Sequence, residues 1–289
     1  MVSETPAASK RIAHLGNGVP APLLMVAAML SFQLGAAVAT GLFARVGIPA
    51  TAFLRNLAGG LLLLAIARPS LRRPRAELLW LLAFGVELAL MNVVFYEAIK
   101  RIPLGVAVTV EFVGPLSVAL LQSRRLRDVV WALLAAVGIA LFAGAPTGAG
   151  INAAGLLFAL LAGVAWACYI FTAQRVGRSW QGSQGLAAGM FVSAILLAPE
   201  GLGRVGSVTA GSGLTIVALG ILSAALPFGL EMAALRRLTA RAYGVLASLE
   251  PAIATVVGVA ALGQHVRATE VVATLLVVTA SVGTTVEGG

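Results

Sequence analysis

A single cysteine, two histidines and a charged fraction of only 11% in 289 residues remove several kinds of chemistry at the outset. Cys168 lies inside an apolar run, so neither a disulfide framework nor a thiolate metal site is available, and the redox compartment stays undetermined. His14 falls in the N-terminal tail and His265 in a loop, with no spacing that suggests a metal or a proton relay. No metal and no cofactor is expected. Aromatic residues are sparse, at 6%. What fills the chain is apolar: 60% hydrophobic residues and a mean hydropathy of +0.98, a balance foreign to soluble domains, in which about 25% of residues are charged. A large extramembrane catalytic domain is thereby excluded, because ten spans of about 20 residues would use about 200 positions and leave the rest for loops and tails.

Continuous apolar stretches run over about 20 residues and do not alternate every second position, which selects helical spans over a β-barrel. They predict spans at 20–43, 51–67, 78–99, 103–122, 129–145, 152–174, 184–199, 213–235, 239–262 and 269–286. Pro49, Pro74, Pro103, the Gly144–Gly150 stretch and Gly211–Gly213 punctuate them, with arginines at the remaining joints.

The net charge of +9 would suggest nucleic acid in a soluble protein, but here the bases sit at span ends and read as topology signals. Lys10, Arg11, Arg68, Arg72, Arg73, Arg75, Arg124, Arg125, Arg127, Arg175, Arg178, Arg236, Arg237 and Arg241 fall on one side, fourteen in all. Arg45, Lys100, Arg101, Arg204 and Arg267, five in all, fall on the other. That bias puts both termini in the cytoplasm. Trp80 and Trp131 suit interfacial anchors. Lys10 and Arg11 before an apolar run superficially resemble a signal peptide, but the run from Val19 is too long for one.

The chain also repeats. An offset of 136 aligns Lys100-Arg101-Ile102 with Arg236-Arg237-Leu238 and Pro115 with Pro251, with Glu111 and Glu250 close to equivalent places. An offset of 130 aligns Phe43-Ala44-Arg45-Val46-Gly47 with Ala173-Gln174-Arg175-Val176-Gly177. The expected fold is therefore an all-α integral membrane protein, with ten transmembrane helices as two inverted five-helix repeats. Five spans are an odd number, so the second set enters the membrane upside down. The expected division is a tail at 1–19, a first repeat at 20–145 and a second at 152–286.

An ionisable side chain at the bilayer centre costs at least about 2.5–3.5 kcal/mol on insertion scales, which makes each one a functional candidate. Glu97 precedes Lys100 and Arg101 by three and four residues and reads as a local helix ion pair. Glu87 sits mid-span, and the sequence leaves open whether it lines a cavity or is a buried partner of Arg55. Arg55 is close enough to its span end to be either a site residue or an interfacial anchor. Glu111 lies four residues before Pro115, whose ring cannot donate to the Glu111 carbonyl, so a carboxylate and a bare carbonyl are expected to share one site. Glu250 directly precedes Pro251 in the matching span, and the two breaks are expected to face each other near the midplane. Glu231 lies four residues after Pro227, a possible hinge, and either lines the cavity or pairs with Arg236 and Arg237. The expected substrate and proton site is thus Glu111, Glu250, Glu231, Arg55 and Glu87, with helix breaks at Pro115, Pro251 and Pro227.

The stretches from Ile102-Pro103-Leu104-Gly105 to Glu111-Phe112-Val113-Gly114-Pro115, and Leu226-Pro227-Phe228, Leu230-Glu231-Met232 and Leu249-Glu250-Pro251, resemble the drug/metabolite transporter superfamily. Within it they look like EamA-type bacterial exporters of threonine and homoserine. The resemblance runs over about residues 20 to 285 and takes in Trp166 and Arg55; Glu87 and Glu97 depart from it. It implies export of small metabolites, driven by an ion gradient, through a multi-pass protein of the inner membrane. A zwitterionic amino acid needs an acceptor for its ammonium and a donor for its carboxylate, which glutamates and Arg55 supply. Proton antiport with alternating access is the expected mechanism. The expected partners are a small-molecule amino acid, the proton, membrane lipid and, as a candidate, a second copy in a homodimer; nucleic acid is not among them. A drug or lipophilic-cation exporter of the same superfamily is the alternative, disfavoured by the low aromatic content. A lipid-modifying enzyme would need a His/Asp/Ser or metal constellation that the sequence lacks. A purely structural protein would not need carboxylates inside the membrane.

Overall fold

A computed structural model describes residues 19–67, 69, 73–122, 128–143, 152–180, 183–204, 206, 210–235 and 237–287. Much of what the charge count used, including Lys10, Arg11, Arg68, Arg72, Arg124, Arg125, Arg127 and Arg236, lies outside these residues, as do His14 and residues 144–151. The described residues form helices and short turns, with no strand among them. In chain order they are α1 (Ala21–Val46), α2 (Ile48–Ala67), α3 (Arg75–Ile99), α4 (Leu104–Glu111 continued by Val113–Gln122), α5 (Asp128–Ala143), α6 (Ala153–Ser179) and α7 (Gln184–Leu202). Three more follow among the described residues: α8 (Ala210–Gly220, a π-turn at Ile221–Ala225, then Leu226–Leu235), α9 (Ala240–Ala247 continued by Glu250–Leu262) and α10 (Ala268–Glu287). Eight are long and apolar enough to cross a membrane; the apolar stretches Leu104–Val118 and Val129–Phe142 are shorter.

Every predicted span has a helix, and the ends differ for local reasons. α1 runs on to Val46 because Gly47, at φ 81, is the residue that can adopt the left-handed region and end it. Pro49 sits in the first turn of α2, where a missing N–H costs nothing, so that helix starts before it. The glycines Gly211–Gly213 likewise fall inside the first turn of α8.

The first segments of α4 and α9, and the breaks that end them, correspond at the offset of 136. Each opens with an eight-residue segment, Leu104–Glu111 and Ala240–Ala247. Each then breaks at a residue of near-identical conformation, Phe112 at φ −63, ψ −14 and Ser248 at φ −62, ψ −15. The amide of Phe112 donates to Val108 and Val110, that of Ser248 to Gly244 and Leu246. The preceding turns match as well, with Ile102 donating to Ala98 and Leu238 to Ala234. Three residues beyond each break comes a proline, Pro115 or Pro251, which withholds the next donor.

The most extensive packing joins residues before 144–151 to residues after them: α2 on α7, α5 on α10, α4 on α9, and in matched pairs α3 on α6 with α1 on α8, α3 on α7 with α2 on α8, and α4 on α6 with α1 on α9. Exchanging each helix with the one five places on leaves this pattern unchanged. The largest apolar core runs through Leu42, Val46, Phe53, Ile99, Leu104, Val108 and Leu219. Separate clusters form around Phe84 and Trp180, around Leu24 and Met29, and around Leu116 and Ala280.

Candidate functional site

Between the two sets of helices lies a cavity of about 460 Å³, walled by α1, α3 and α4 on one side and α6, α8 and α9 on the other, with Arg55 reaching in from α2. Glu111, Glu231 and Glu250 all line it, as do Pro115 and Pro227. Pro251 is buried beside Glu250 but is not in the lining.

Arg55 is 6% exposed. Its guanidinium donates to the Asn92 side-chain oxygen and, at 3.3 Å, to the Ser223 carbonyl, and it lies 5.4 Å from the centroid of the Phe32 ring. It is therefore turned into the protein, away from any interfacial anchoring position. The Ser223 carbonyl is available because Pro227, four residues on, has no N–H, and the π-turn displaces the local ladder. The neighbouring Leu222 carbonyl accepts from the Ser31 hydroxyl at 2.9 Å. Backbone acceptors at a proline break thus do serve the cavity, but at α8. The expectation had been the Glu111 carbonyl, and that group packs against Gly163 of α6, where an added Cβ would stand 2.7 Å from it.

Arg55 is held by a chain of buried amides. Asn92 donates to the Leu88 carbonyl at 2.6 Å and to Asn56 Oδ1 at 3.3 Å, and Asn56 donates to the Ser193 hydroxyl at 2.9 Å. Asn56 and Ser193 have no exposed surface. One turn of α2, one of α3 and one of α7 are so tied behind a single cation.

The carboxylates differ in their company. Tyr243 donates its hydroxyl to Glu231, and Gln33 Nε2 donates to Glu250 Oε1 at 3.2 Å. Glu111 is 7% exposed and makes no hydrogen bond among the described residues. It lies within electrostatic reach of both Arg55 and Glu250. Glu87 is elsewhere: Thr172 of α6 donates to it, it is not among the residues lining the cavity, and Arg55 bonds Asn92 and Ser223 instead. Of the two readings left open for Glu87, neither describes it; it is a polar link in the α3–α6 contact. Glu97 pairs with Arg101 one turn on, as its spacing predicted.

The 6% aromatic content is not spread evenly. Phe32, Phe95, Tyr96, Phe112, Trp166, Tyr169 and Tyr243 all line the cavity, which includes every one of the three tyrosines in the chain. Phe112 meets Trp166 edge to face with centroids 5.7 Å apart. The residues that sequence reasoning missed are neutral: Gln33, Asn56, Ser193 and the tyrosines. A glutamine in the middle of an otherwise apolar α1, and an asparagine beside Arg55, were the signals present. No cluster of three metal-ligating side chains occurs among the described residues.

The EamA-like transporter family matches residues 153–286. The chain is 40% identical over 274 residues to the threonine/homoserine exporter RhtA of Salmonella typhimurium (strain LT2) and to that of Escherichia coli (strain K12), covering 91% of this chain and 90% of each relative. A solved crystal structure with 25% sequence identity superposes with a TM-score of 0.62, covering 90% of this chain and 94% of its own.

Proposed function

The chain belongs to the EamA-like transporter family, and from that premise we propose that it exports small amino acids of the threonine and homoserine kind across the inner membrane, by proton antiport with alternating access. The observation that carries the substrate class is the cavity's opposition of charge. Arg55, fixed by Asn92 and Ser223, presents a planar fork suited to a carboxylate. Glu111, with no hydrogen bond of its own, presents an acceptor for an ammonium. A zwitterion of a few heavy atoms satisfies both ends, and the cavity volume is ample for one.

The site is therefore assigned to Arg55 and Glu111 for direct contact, with Glu250 and Glu231 as the further carboxylates able to carry the exchanged proton. Glu87 is not retained in it. The architecture proposed is two inverted five-helix repeats, 20–145 and 152–286, after a short tail at 1–19. The matched backbone of α4 and α9, the exchange symmetry of the helix packing and a family match confined to 153–286 support it. Alternating access then follows as rocking of one repeat against the other about the cavity.

A lipophilic cation is the second reading, because seven aromatic rings and three carboxylates against one guanidinium also suit a delocalised positive charge. The deciding experiment loads everted vesicles containing the protein with a proton gradient and follows uptake of threonine, homoserine, a panel of other amino acids and a quaternary ammonium dye. Uptake of threonine or homoserine that collapses with the gradient is the expected result. Dye transport without amino acid transport would replace the first reading by the second.

A further inference from the structure

The geometry points to a binding site for an anionic phospholipid on the outer face of the α3–α6 pair, at the arginine-bearing end, and we propose it as a site distinct from the transport cavity. The two helices run antiparallel in contact: Arg101, just beyond the end of α3, lies 4.8 Å from the centroid of the Phe158 ring near the start of α6, and Phe84 stacks on Tyr169 at 5.3 Å midway. The same register brings the start of α3 beside the end of α6, where the Arg175 guanidinium lies 5.8 Å from the centroid of the Trp80 ring.

Each helix carries a stripe of exposed apolar side chains that ends in arginine. On α3 the positions Leu79, Leu82 and Val86 are 65%, 46% and 37% exposed, at helical spacing below Arg75. On α6, Val164 and Phe171 are 62% and 55% exposed, and the same stripe continues at intervals of four and three to Arg175 and Arg178. Arg75, Arg175 and Arg178 are exposed and have no acidic partner among the described residues. Nearby Arg73 is different, since it pairs with Glu77 at 3.7 Å and stacks on the buried Trp180.

Three guanidiniums with no acidic partner among the described residues, at the ends of two adjoining apolar stripes where Arg175 meets the exposed Trp80, reproduce the polarity of a phospholipid: a phosphodiester above, acyl chains below. The guanidinium fork bonds the phosphate oxygens in pairs, and Trp80 holds the glycerol level, where an amphipathic ring is most stable. The stripe from Leu79 to Val86 spans about 10 Å at 1.5 Å per residue, enough for the upper part of an acyl chain. A free phosphate would use the arginines but leave the stripes without purpose, and so the occupant is the lipid.

The test measures lipid retention and thermal stability of the purified, delipidated full chain in neutral detergent. Adding phosphatidylglycerol should raise the unfolding temperature more than phosphatidylethanolamine does, and glycerol phosphate should do nothing. The double variant Arg175→Gln/Arg178→Gln should weaken phosphatidylglycerol binding by about 25-fold, at about fivefold per arginine. Arg175→Lys/Arg178→Lys should recover most of it, and Arg45→Gln, at the opposite helix end, should leave it unchanged. Equal shifts from the two lipids, an equal shift from glycerol phosphate, or full binding by the double glutamine variant would each overturn the site. Because the lysine variant keeps the charge, loss of binding in both double variants together with a lowered unfolding temperature in the absence of lipid would also count against it.

Discussion

Arg55 is the one basic side chain lining the cavity among the described residues, and its surroundings explain why its position is fixed. A guanidinium left in a low-dielectric interior needs its donors used, and Asn92 and the Ser223 carbonyl use two of them. Asn56 and Ser193 never reach the cavity but hold Asn92 in register. Asn56→Ala should therefore weaken apparent substrate affinity by about tenfold at normal expression, the scale of one buried polar group left unpaired. Transport kinetics with threonine would show it, and an unchanged KM would remove Asn56 from the positioning chain. Arg55→Lys keeps the charge and loses the fork, so it should insert normally and export poorly; full export would make Arg55 structural. Among the carboxylates, Glu111→Gln should abolish export and Glu97→Gln, which disturbs only a peripheral pair with Arg101, should leave it nearly normal. Normal export by Glu111→Gln in the same assay would empty the proposed ammonium site. Charged residues were legible in the sequence because each one interrupts an apolar run. Gln33 and Asn56 were not, because a neutral amide is cheaper to bury and a helix of this length tolerates several without a function attached.

Prolines made the breaks in α4 and α9 foreseeable, and the eight-residue segments that precede them show how closely the chain obeyed. The π-turn at Ile221–Ala225 was not foreseeable, because π-turns arise from the fit of neighbouring helices and leave no composition signature. Together with Pro227, which the sequence did mark as a break, it frees the carbonyl that Arg55 uses. Close helix approach is set by glycines in the same way. A Cβ on Gly114 would collide with the Gly163 carbonyl, and one on Gly163 would press on the Glu111 carbonyl. Gly163→Val should therefore push α6 off α4, lowering the unfolding temperature by the equivalent of about 1–3 kcal/mol and impairing transport along with it. Gly41→Ala, where nothing lies within 4 Å, should be neutral or slightly stabilising. Unfolding curves for the two variants in one detergent check the contrast, which disappears if Gly163→Val unfolds at the wild-type temperature.

At the scale of the molecule, the apolar runs were the readable part, since hydropathy over about 20 residues is what a bilayer selects. Which helices touch was not readable, because every wide contact joins distant sequence: α2 to α7, α3 to α6, α5 to α10. Orientation rests on the fourteen-to-five distribution of bases. Reporters fused after Gly289 or within 68–76 should score cytoplasmic and one within 146–151 periplasmic, and reversal at two of these sites would sink the orientation. For the two proposed repeats the packing has a consequence. If 20–145 and 152–286 were self-sufficient bundles, their best contacts would be internal, as in two domains joined by a linker. Here the best contacts are across the division, and both walls of the cavity are needed to enclose it. Neither repeat alone should then be stable in the membrane, and each expressed singly should be degraded. Cutting the chain within residues 144–151 and co-expressing the two pieces should restore both, because the contacts that hold the halves together remain. Immunoblots of each piece alone and together, followed by threonine export from the co-expressing cells, provide the measurement. Stable accumulation of the second piece by itself would mean that the interlocked packing is not what keeps the protein folded.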